Sequence, residues 1–130
     1  MKIQHYDVDI QRTKVPISGT AIREKPLSNW DYISDAAKSF FVKKVVVMGP
    51  ESAGKTTMCQ RLAQKFRTVW VPEYGRELSE QKPDLELSDF PLIVERQIQS
   101  EEKLLSRANK LLFCDTECLT TMIFSRLYFP

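Results

Sequence analysis

The sequence predicts an α/β fold in which helices flank a parallel sheet. Residues 41–48 end in an uninterrupted β-branched run, which is typical of a parallel strand buried on both faces. A glycine-containing loop follows, and then residues 58–66 carry apolar side chains at helical spacing. Residues 110–115 form another apolar run that ends in an acid. Such alternation of strands with amphipathic helices favours a parallel sheet.

Composition bounds the protein class. The chain has 130 residues, about one domain's length, with 42% hydrophobic and 28% charged residues, as in ordinary globular proteins. The net charge of +2 gives no indication of a nucleic-acid partner. No apolar run approaches the roughly 20 residues that span a bilayer, and residues 1–5 lack the apolar core of a signal peptide. We therefore expect a cytoplasmic protein with no membrane partner.

The three cysteines fit a reducing compartment, because their number is odd and their spacing is not that of a disulfide framework. Cys114 and Cys118 are four residues apart, but the chain has one histidine and no second pair to complete a metal site. A buried or half-buried free thiol is the better interpretation at each position.

The N-terminal segment contains one cluster of residues suited to bind a phosphate. Residues 1–16 are predicted to form short extended pieces that Pro16 closes. In the next residues Ser18 or Thr20 can cap a short helix, and Arg23 offers a planar fork for phosphate oxygens. Taken alone, these residues favour a capped surface helix with a solvated arginine. Residues 25–38 are predicted to be a linker with a short helix, in which Trp30 is a packing anchor rather than a base-stacking platform.

Residues 49–56 fill every fixed position of the phosphate-binding pattern G-x-x-x-x-G-K-[ST]. The glycines let backbone N–H groups turn towards phosphate, and the following helix adds partial positive charge. Lys55 is predicted to bridge the β- and γ-phosphates, and the Thr56 hydroxyl to coordinate Mg²⁺. The alternative, a glycine-rich turn without ligand, is disfavoured by the flanking strand and helix. The predicted nucleotide-binding residues are Gly49, Glu51, Ser52, Ala53, Gly54, Lys55, Thr56 and Thr57.

The helix after this loop is predicted to bury one apolar stripe. Met58, Leu62 and Phe66 recur every four residues, with Cys59 and Ala63 beside them. Polar residues fill the positions between these, so the sequence indicates an amphipathic helix that packs against the sheet.

Residues 68–71 form a second strand candidate, which Pro72 ends. Residues 73–77 come next, and the carboxyl ends of parallel strands line the ligand crevice of an open α/β sheet. There the Glu73 carboxylate can act as general base on a substrate hydroxyl, and Arg76 can stabilise phosphate charge. The alternative is a solvated turn.

A long helix is predicted to begin at Ser88, whose hydroxyl caps it, with Pro91 tolerated in its first turn. A third strand follows at residues 110–115, and a last amphipathic helix at 119–129. Asp115 ends the third strand about sixty residues after Lys55, which is the Walker-B arrangement for holding Mg²⁺. The predicted buried line of the long helix is Phe90, Val94, Ile98 and Leu105, with Ile93 and Leu104 alongside.

The order of these motifs resembles the NadR-type family, which joins a nicotinamide-mononucleotide adenylyltransferase to a ribosylnicotinamide kinase. The resemblance covers nearly the whole chain and rests on residues 17–23, 30–32, 40–44, 49–56, 73–77 and 113–116. It implies that residues 1–40 are the end of the adenylyltransferase domain and a linker. Ser18, Thr20 and Arg23 then match the phosphate-binding motif of that domain. Residues 41–130 correspond to the first part of a kinase with the P-loop NTPase fold, which is expected to be truncated at its C-terminus.

For activity, the resemblance implies transfer of the ATP γ-phosphoryl group to ribosylnicotinamide, with ATP and Mg²⁺ as cofactors. Its site residues would be Lys55, Glu73 and Asp115 for catalysis, Thr56 and Asp115 for the metal, and Glu73, Tyr74 and Arg76 for the substrate.

The sequence also departs from the family pattern. The H-x-G-H element of the adenylyltransferase is missing, since His5 stands outside any such pattern, so that activity is expected to be absent. Glu117 stands where an aspartate is expected. The alternatives are a regulatory ATPase or GTPase module that binds nucleotide without kinase activity, and a truncated, inactive product.

Overall fold

Two units make up the chain, residues 1–41 and residues 42–130. The computed structural model describes residues 9–116 and 118–129. The boundary expected from the sequence lies between residues 40 and 41, and the assignment of the first segment to an adenylyltransferase stays a prediction. No helix within the described ranges combines the length and the apolar composition needed to cross a bilayer.

The first unit contains helix α1 (Gly19–Glu24), a 3-10 helix (Trp30–Tyr32) and helix α2 (Asp35–Phe41). Ser18 caps α1, because its Oγ accepts a hydrogen bond of 3.0 Å from the Ala21 N–H. Trp30 is 4% exposed, which agrees with its predicted role as a packing anchor.

Residues 9–16 form a loop rather than the predicted extended pieces. The Asp9 carboxylate accepts backbone N–H groups from Thr13 at 2.8 Å and from Val15 at 2.9 Å, so the chain folds back around one acid. These hydrogen bonds hold the pKa of Asp9 below its usual value. Short-range bonds of this kind compete with strand pairing. Residues 1–8, which the sequence analysis also assigned to extended structure, lie outside the described residues.

The second unit is built on a parallel three-stranded sheet in the order β1-β3-β2. The registers pair Val47 with Asp115 and Val71 with Cys114, so the carboxyl ends of all three strands meet at one edge. A 3-10 helix covers Leu87–Asp89. In chain order the elements are β1 (Lys43–Val47), α3 (Lys55–Phe66), β2 (Trp70–Val71), α4 (Tyr74–Gln81), α5 (Phe90–Leu105), β3 (Leu111–Asp115) and α6 (Cys118–Tyr128).

Strand β3 separates the core into two layers. On one face Leu112 and Cys114 are fully buried together with Val71. On the other face Phe113 packs with Cys59 and Ala63 of α3. No disulfide joins the three cysteines, all of which are among the described residues; Cys59 and Cys114 are buried and Cys118 is half-buried, as expected from the sequence. Burial also raises the pKa of the Cys59 thiol to about 11, so the thiol stays protonated at neutral pH.

Strand β1 is not buried on both faces as predicted. Within the described sheet it has a neighbour on one side only, and Lys43, Lys44 and Val46 are exposed. The β-branched run indicates that these residues form a strand. The position of that strand in the sheet depends instead on which strands pair. That pairing places β3 in the centre.

Helix α3 presents a different face to the sheet than its apolar stripe suggests. Cys59 and Ala63 are buried, whereas Met58 is 52% and Phe66 45% exposed. Small side chains let the helix approach the strands closely, and the larger ones cover the margin. Phe66 contacts the Phe113 ring there, with centroids 5.8 Å apart.

Helix α5 begins at Phe90, two residues after the predicted cap. The Ser88 hydroxyl contacts the Glu86 carboxylate, and the turn is closed instead by reciprocal hydrogen bonds between Glu86 and Asp89. The Asp89 carboxylate also accepts from Lys82 at 2.8 Å.

The buried face of α5 is partly polar. Ile93, Gln97 and Glu101 are buried, whereas Ile98, which was predicted to be buried, is 44% exposed. Each of the two polar side chains has a partner for an oxygen, which offsets part of the cost of its burial, although Gln97 Nε2 is buried without a partner among the described residues. Gln97 Oε1 accepts the backbone N–H of Tyr74 at 3.0 Å, and Glu101 pairs with Lys44 at 2.9 Å.

The central position of β3 makes Leu112→Ala strongly destabilising. The leucine is 0% exposed, so its truncation should lower the free energy of unfolding by about 2–5 kcal/mol. Leu119→Ala removes the same atoms from a side chain that is 55% exposed and should change stability by about 0.5 kcal/mol or less. Urea unfolding of both variants measures this, and equal effects would contradict the packing described.

Candidate nucleotide-binding site

A cavity of about 820 Å³ opens at the carboxyl ends of the strands. Its volume is within the range of sites that hold small-molecule ligands. The phosphate loop forms one wall, the start of α4 forms another, and residues of α5 and α6 close the far side. The residues on which the following description rests are Gly49, Glu51, Ser52, Lys55, Glu73, Arg76, Phe90, Ile93, Thr116 and Thr120.

The backbone of the phosphate loop has the left-handed turns that an anion cradle requires. Gly54 has φ +80° at the N-cap of α3, and Ser52 has φ +59°. A Cβ added at Gly54 would meet no atom within 4 Å, so this position needs glycine for its conformation rather than for space. The sharp turn exposes the N-terminus of α3 to the cavity, where a helix attracts phosphate.

Lys55 lies across this loop. It is 9% exposed, and its Nζ donates a hydrogen bond of 3.0 Å to the Pro50 carbonyl. The ammonium is thereby held over the turn. Of the other predicted contacts, Glu51 and Ser52 line the cavity with Gly49, whereas Ala53 and Thr57 are exposed beside it.

Asp115 ends β3 next to the loop, behind the residues that line the cavity. It is 1% exposed, and its Oδ2 accepts a hydrogen bond from the Thr56 hydroxyl. The second oxygen, Oδ1, is buried and has no hydrogen-bond partner among the described residues. A buried carboxylate oxygen with free capacity suits a cation or an ordered water. The pair Thr56 and Asp115 therefore fits the predicted metal ligands.

Arg76 connects the carboxylate of Glu73, the residue just before α4, with the pair Thr56 and Asp115. Its Nη1 donates a hydrogen bond of 2.9 Å to Thr56 Oγ1, and its Nη2 lies 3.5 Å from Glu73 Oε2. Residues that are distant in sequence thus meet around one guanidinium. Burial raises the pKa of Glu73, and the charge of Asp115 adds to that rise, while Arg76 and Lys55 oppose it.

The sequence analysis missed the residue that positions this corner. Gln97, on the neighbouring helix α5, accepts a hydrogen bond from the first N–H of α4. This bond fixes the start of α4 and, with it, the positions of Glu73 and Arg76. The place of Gln97 in a polar run of α5 gave no signal for such a role. Tyr74, a predicted substrate residue, contributes this N–H and lies outside the cavity wall. The far wall was also missed, since Phe90, Ile93 and Thr120 come together only in the folded chain.

The predicted phosphate cluster of the N-terminal segment lies in the first unit. Ser18 caps α1, and Arg23 contacts the Thr20 hydroxyl at 3.4 Å. These contacts are internal to the segment, so a phosphate site at these residues stays a prediction.

The parallel sheet and the phosphate loop define the class of this protein, the P-loop NTPases, as the sequence predicted. Residues 44–130 match the AAA domain family, and the chain belongs to that family. The chain is also homologous to NadR, which confirms the resemblance found in the sequence.

Two curated relatives are 39% identical to the chain and match 93% of it. They are the trifunctional NAD biosynthesis/regulator proteins NadR of Escherichia coli K12 and Salmonella typhimurium LT2. Two solved structures of NadR are 32% identical and match 92% of the chain. One is a complex with NR, with a TM-score of 0.80, and the other is a complex with NAD and AMP-PNP, with a TM-score of 0.81. The chain spans 31% of the length of the curated relatives and 35% of the solved chains.

The environment of Glu73 predicts a stability that depends on pH. Because burial raises its pKa, the folded protein binds this proton more tightly than the unfolded chain does. The charged carboxylate therefore lowers the free energy of unfolding at neutral pH. Glu73→Gln should make the protein more stable at pH 7, and this advantage should vanish as the pH falls below the ordinary glutamate value.

Urea unfolding at pH 7 and pH 4 tests this expectation. Glu77→Gln is the matched control, since Glu77 lies exposed on the same helix, and it should show little change at either pH. A Glu73→Gln protein that is less stable than the wild type at pH 7 would contradict it.

Proposed function

We propose that the second unit binds Mg²⁺-ATP and transfers the γ-phosphoryl group to the 5′-hydroxyl of ribosylnicotinamide, giving nicotinamide mononucleotide. The observation that carries this proposal is the convergence of a phosphate loop and the Glu73 carboxylate on one cavity, with the Asp115 carboxylate bonded to Thr56 of that loop. The NadR structures solved with NR and with AMP-PNP support the choice of ligands.

Phosphate binding falls to the loop and Lys55. The N–H groups at the start of α3 and the Lys55 ammonium would surround the β- and γ-phosphate oxygens. Lys55 would exchange its bond to the Pro50 carbonyl for bonds to phosphate, which are stronger because both partners are charged. The left-handed conformation of Gly54 turns the start of α3 towards this contact.

The metal fits the Thr56 hydroxyl and the Asp115 carboxylate, whose Oδ1 has free capacity. Mg²⁺ held there would supply positive charge that neutralises the triphosphate during transfer. Asp115 is buried at the end of the central strand, so its position is fixed before any ligand arrives.

Glu73 is placed to act on the acceptor hydroxyl. It lines the cavity together with residues of the phosphate loop, and its pKa, raised by burial, makes it a better base than an exposed glutamate. Phe90 and Ile93 provide an apolar surface for the flat face of a base. The hydroxyls of Thr116 and Thr120 offer polar contacts nearby.

We also propose a phosphate-binding role for Ser18, Thr20 and Arg23 in an adenylyltransferase domain. It is supported by the match of these residues to the motif of that domain. It is independent of the kinase site.

Lys55→Ala should weaken the binding of Mg²⁺-ATP strongly, since it removes the one charge placed to meet two phosphates. Lys65→Ala is the matched control, because Lys65 lies exposed on the same helix and should leave affinity unchanged. Titration calorimetry measures both. No heat with millimolar ATP and a folded wild-type chain would overturn the proposed ligand.

Glu73→Gln should lower kcat for ribosylnicotinamide by about 10²- to 10⁴-fold with ATP affinity little changed, because a general base acts in the transition state. Asp115→Asn should instead raise the Mg²⁺ concentration needed for half-maximal rate. A coupled assay of ADP formation separates the two.

Glu77→Gln serves as control for the first variant, since Glu77 lies outside the cavity wall. If Glu77→Gln lost the activity and Glu73→Gln kept it, the base would be assigned wrongly. Tight ATP binding without turnover of ribosylnicotinamide would instead favour the regulatory nucleotide-binding module.

A further inference from the structure

We propose that Arg76 and the divalent metal are mutually exclusive partners of the Thr56 hydroxyl, so that Arg76 must leave this oxygen when metal and nucleotide bind. The inference rests on the proposed function, because it takes Thr56 as a metal ligand. It adds a role for Arg76 that precedes any chemical step.

The Thr56 hydroxyl already has two partners. Thr56 Oγ1 has one proton, and it donates that proton to Asp115 Oδ2. One of the two lone pairs of the same oxygen accepts a hydrogen bond of 2.9 Å from Arg76 Nη1. Arg76 Nη2 also lies 3.5 Å from Glu73 Oε2, so the guanidinium pairs with one carboxylate while it contacts the hydroxyl bonded to the other, Asp115.

Distances show why both cations cannot share this oxygen. Mg²⁺ binds oxygen at about 2.0–2.1 Å. With Arg76 Nη1 at 2.9 Å from Oγ1, the two cations would lie within about 5 Å of each other, even on opposite sides of the oxygen. Repulsion at that distance is strong in a partly buried site. Without metal, the singly charged Arg76 therefore binds Thr56 Oγ1, and the doubly charged metal replaces it there.

The place to which Arg76 moves is set by its location. It lies in the first turn of α4, its side chain is 46% exposed, and it lines the cavity. Rotation about its own side-chain bonds frees Thr56 without movement of the helix, and the guanidinium then faces the phosphates. Metal and nucleotide binding are thereby coupled, because phosphate offers the displaced guanidinium a new partner.

Metal binding without nucleotide tests the proposal directly. Arg76→Gln should bind Mn²⁺ alone more tightly than the wild type, by about 5- to 150-fold, the usual range of coupling between sites. Electron paramagnetic resonance of free Mn²⁺ measures this affinity. Arg61→Gln is the matched control, since Arg61 is exposed on α3, and it should bind Mn²⁺ as the wild type does.

Two further variants link the effect to Thr56. Arg76→Lys keeps the charge but loses the two-pronged geometry, so its Mn²⁺ affinity should fall between those of the wild type and Arg76→Gln. In a Thr56→Val background, Arg76→Gln should give a much smaller gain, because the contested oxygen is gone. Circular dichroism confirms that each variant is folded.

Unchanged or weaker Mn²⁺ affinity in folded Arg76→Gln would overturn the inference, and so would an equal gain in the Thr56→Val background. These measurements use neither ATP nor ribosylnicotinamide. Failure of the wild type to phosphorylate ribosylnicotinamide would overturn the proposed function and leave the competition at Thr56 standing.

Discussion

The parallel pairing of β3 with its two neighbours is the constraint on which the site depends. Because Val47 pairs with Asp115, the strand that leads into the phosphate loop ends beside the acid of the third strand. The pairing of Val71 with Cys114 brings the end of β2, and with it Glu73, to the same edge. A slip of one residue would turn each side chain to the opposite face of the sheet. Burial of Leu112 and Phe113 on opposite faces fixes the register.

This packing explains how a carboxylate is kept nearly inaccessible to solvent. Asp115 is 1% exposed, and burial of an acid is unfavourable unless partners stabilise its charge. Thr56 provides one hydrogen bond and Arg76 a nearby positive charge. The remaining capacity of Asp115 is what a metal can use. Stability and ligand binding therefore compete for the same polar groups, as is common where proteins bind ligands.

The polar residues of α5 show a second use of buried groups. Gln97 and Glu101 lie on the buried face of this helix, where an apolar pattern predicts leucine or isoleucine. Glu101 pairs with Lys44 on β1, and Gln97 accepts the first N–H of α4. These bonds tie the helix to the edge strand on one side and to the cavity wall on the other. The cavity is thus supported by a helix whose buried face is partly polar.

The sequence by itself predicted the three strands of the second unit and the phosphate-loop pattern between the first strand and its helix. The loop at 49–56 has a pattern of fixed spacing, and Asp115 ends an apolar run, so both follow from short-range signals. Only the tertiary structure decided that β1 lies at the edge of the described sheet, that Cys59 and Ala63 rather than Met58 and Phe66 are buried, and that Tyr74 lies outside the cavity. The meeting of Arg76 with Thr56 was likewise beyond the sequence. Periodicity shows that a helix has an apolar side, but the depth to which each residue is buried depends on how closely two elements approach, and contacts between distant segments set that distance.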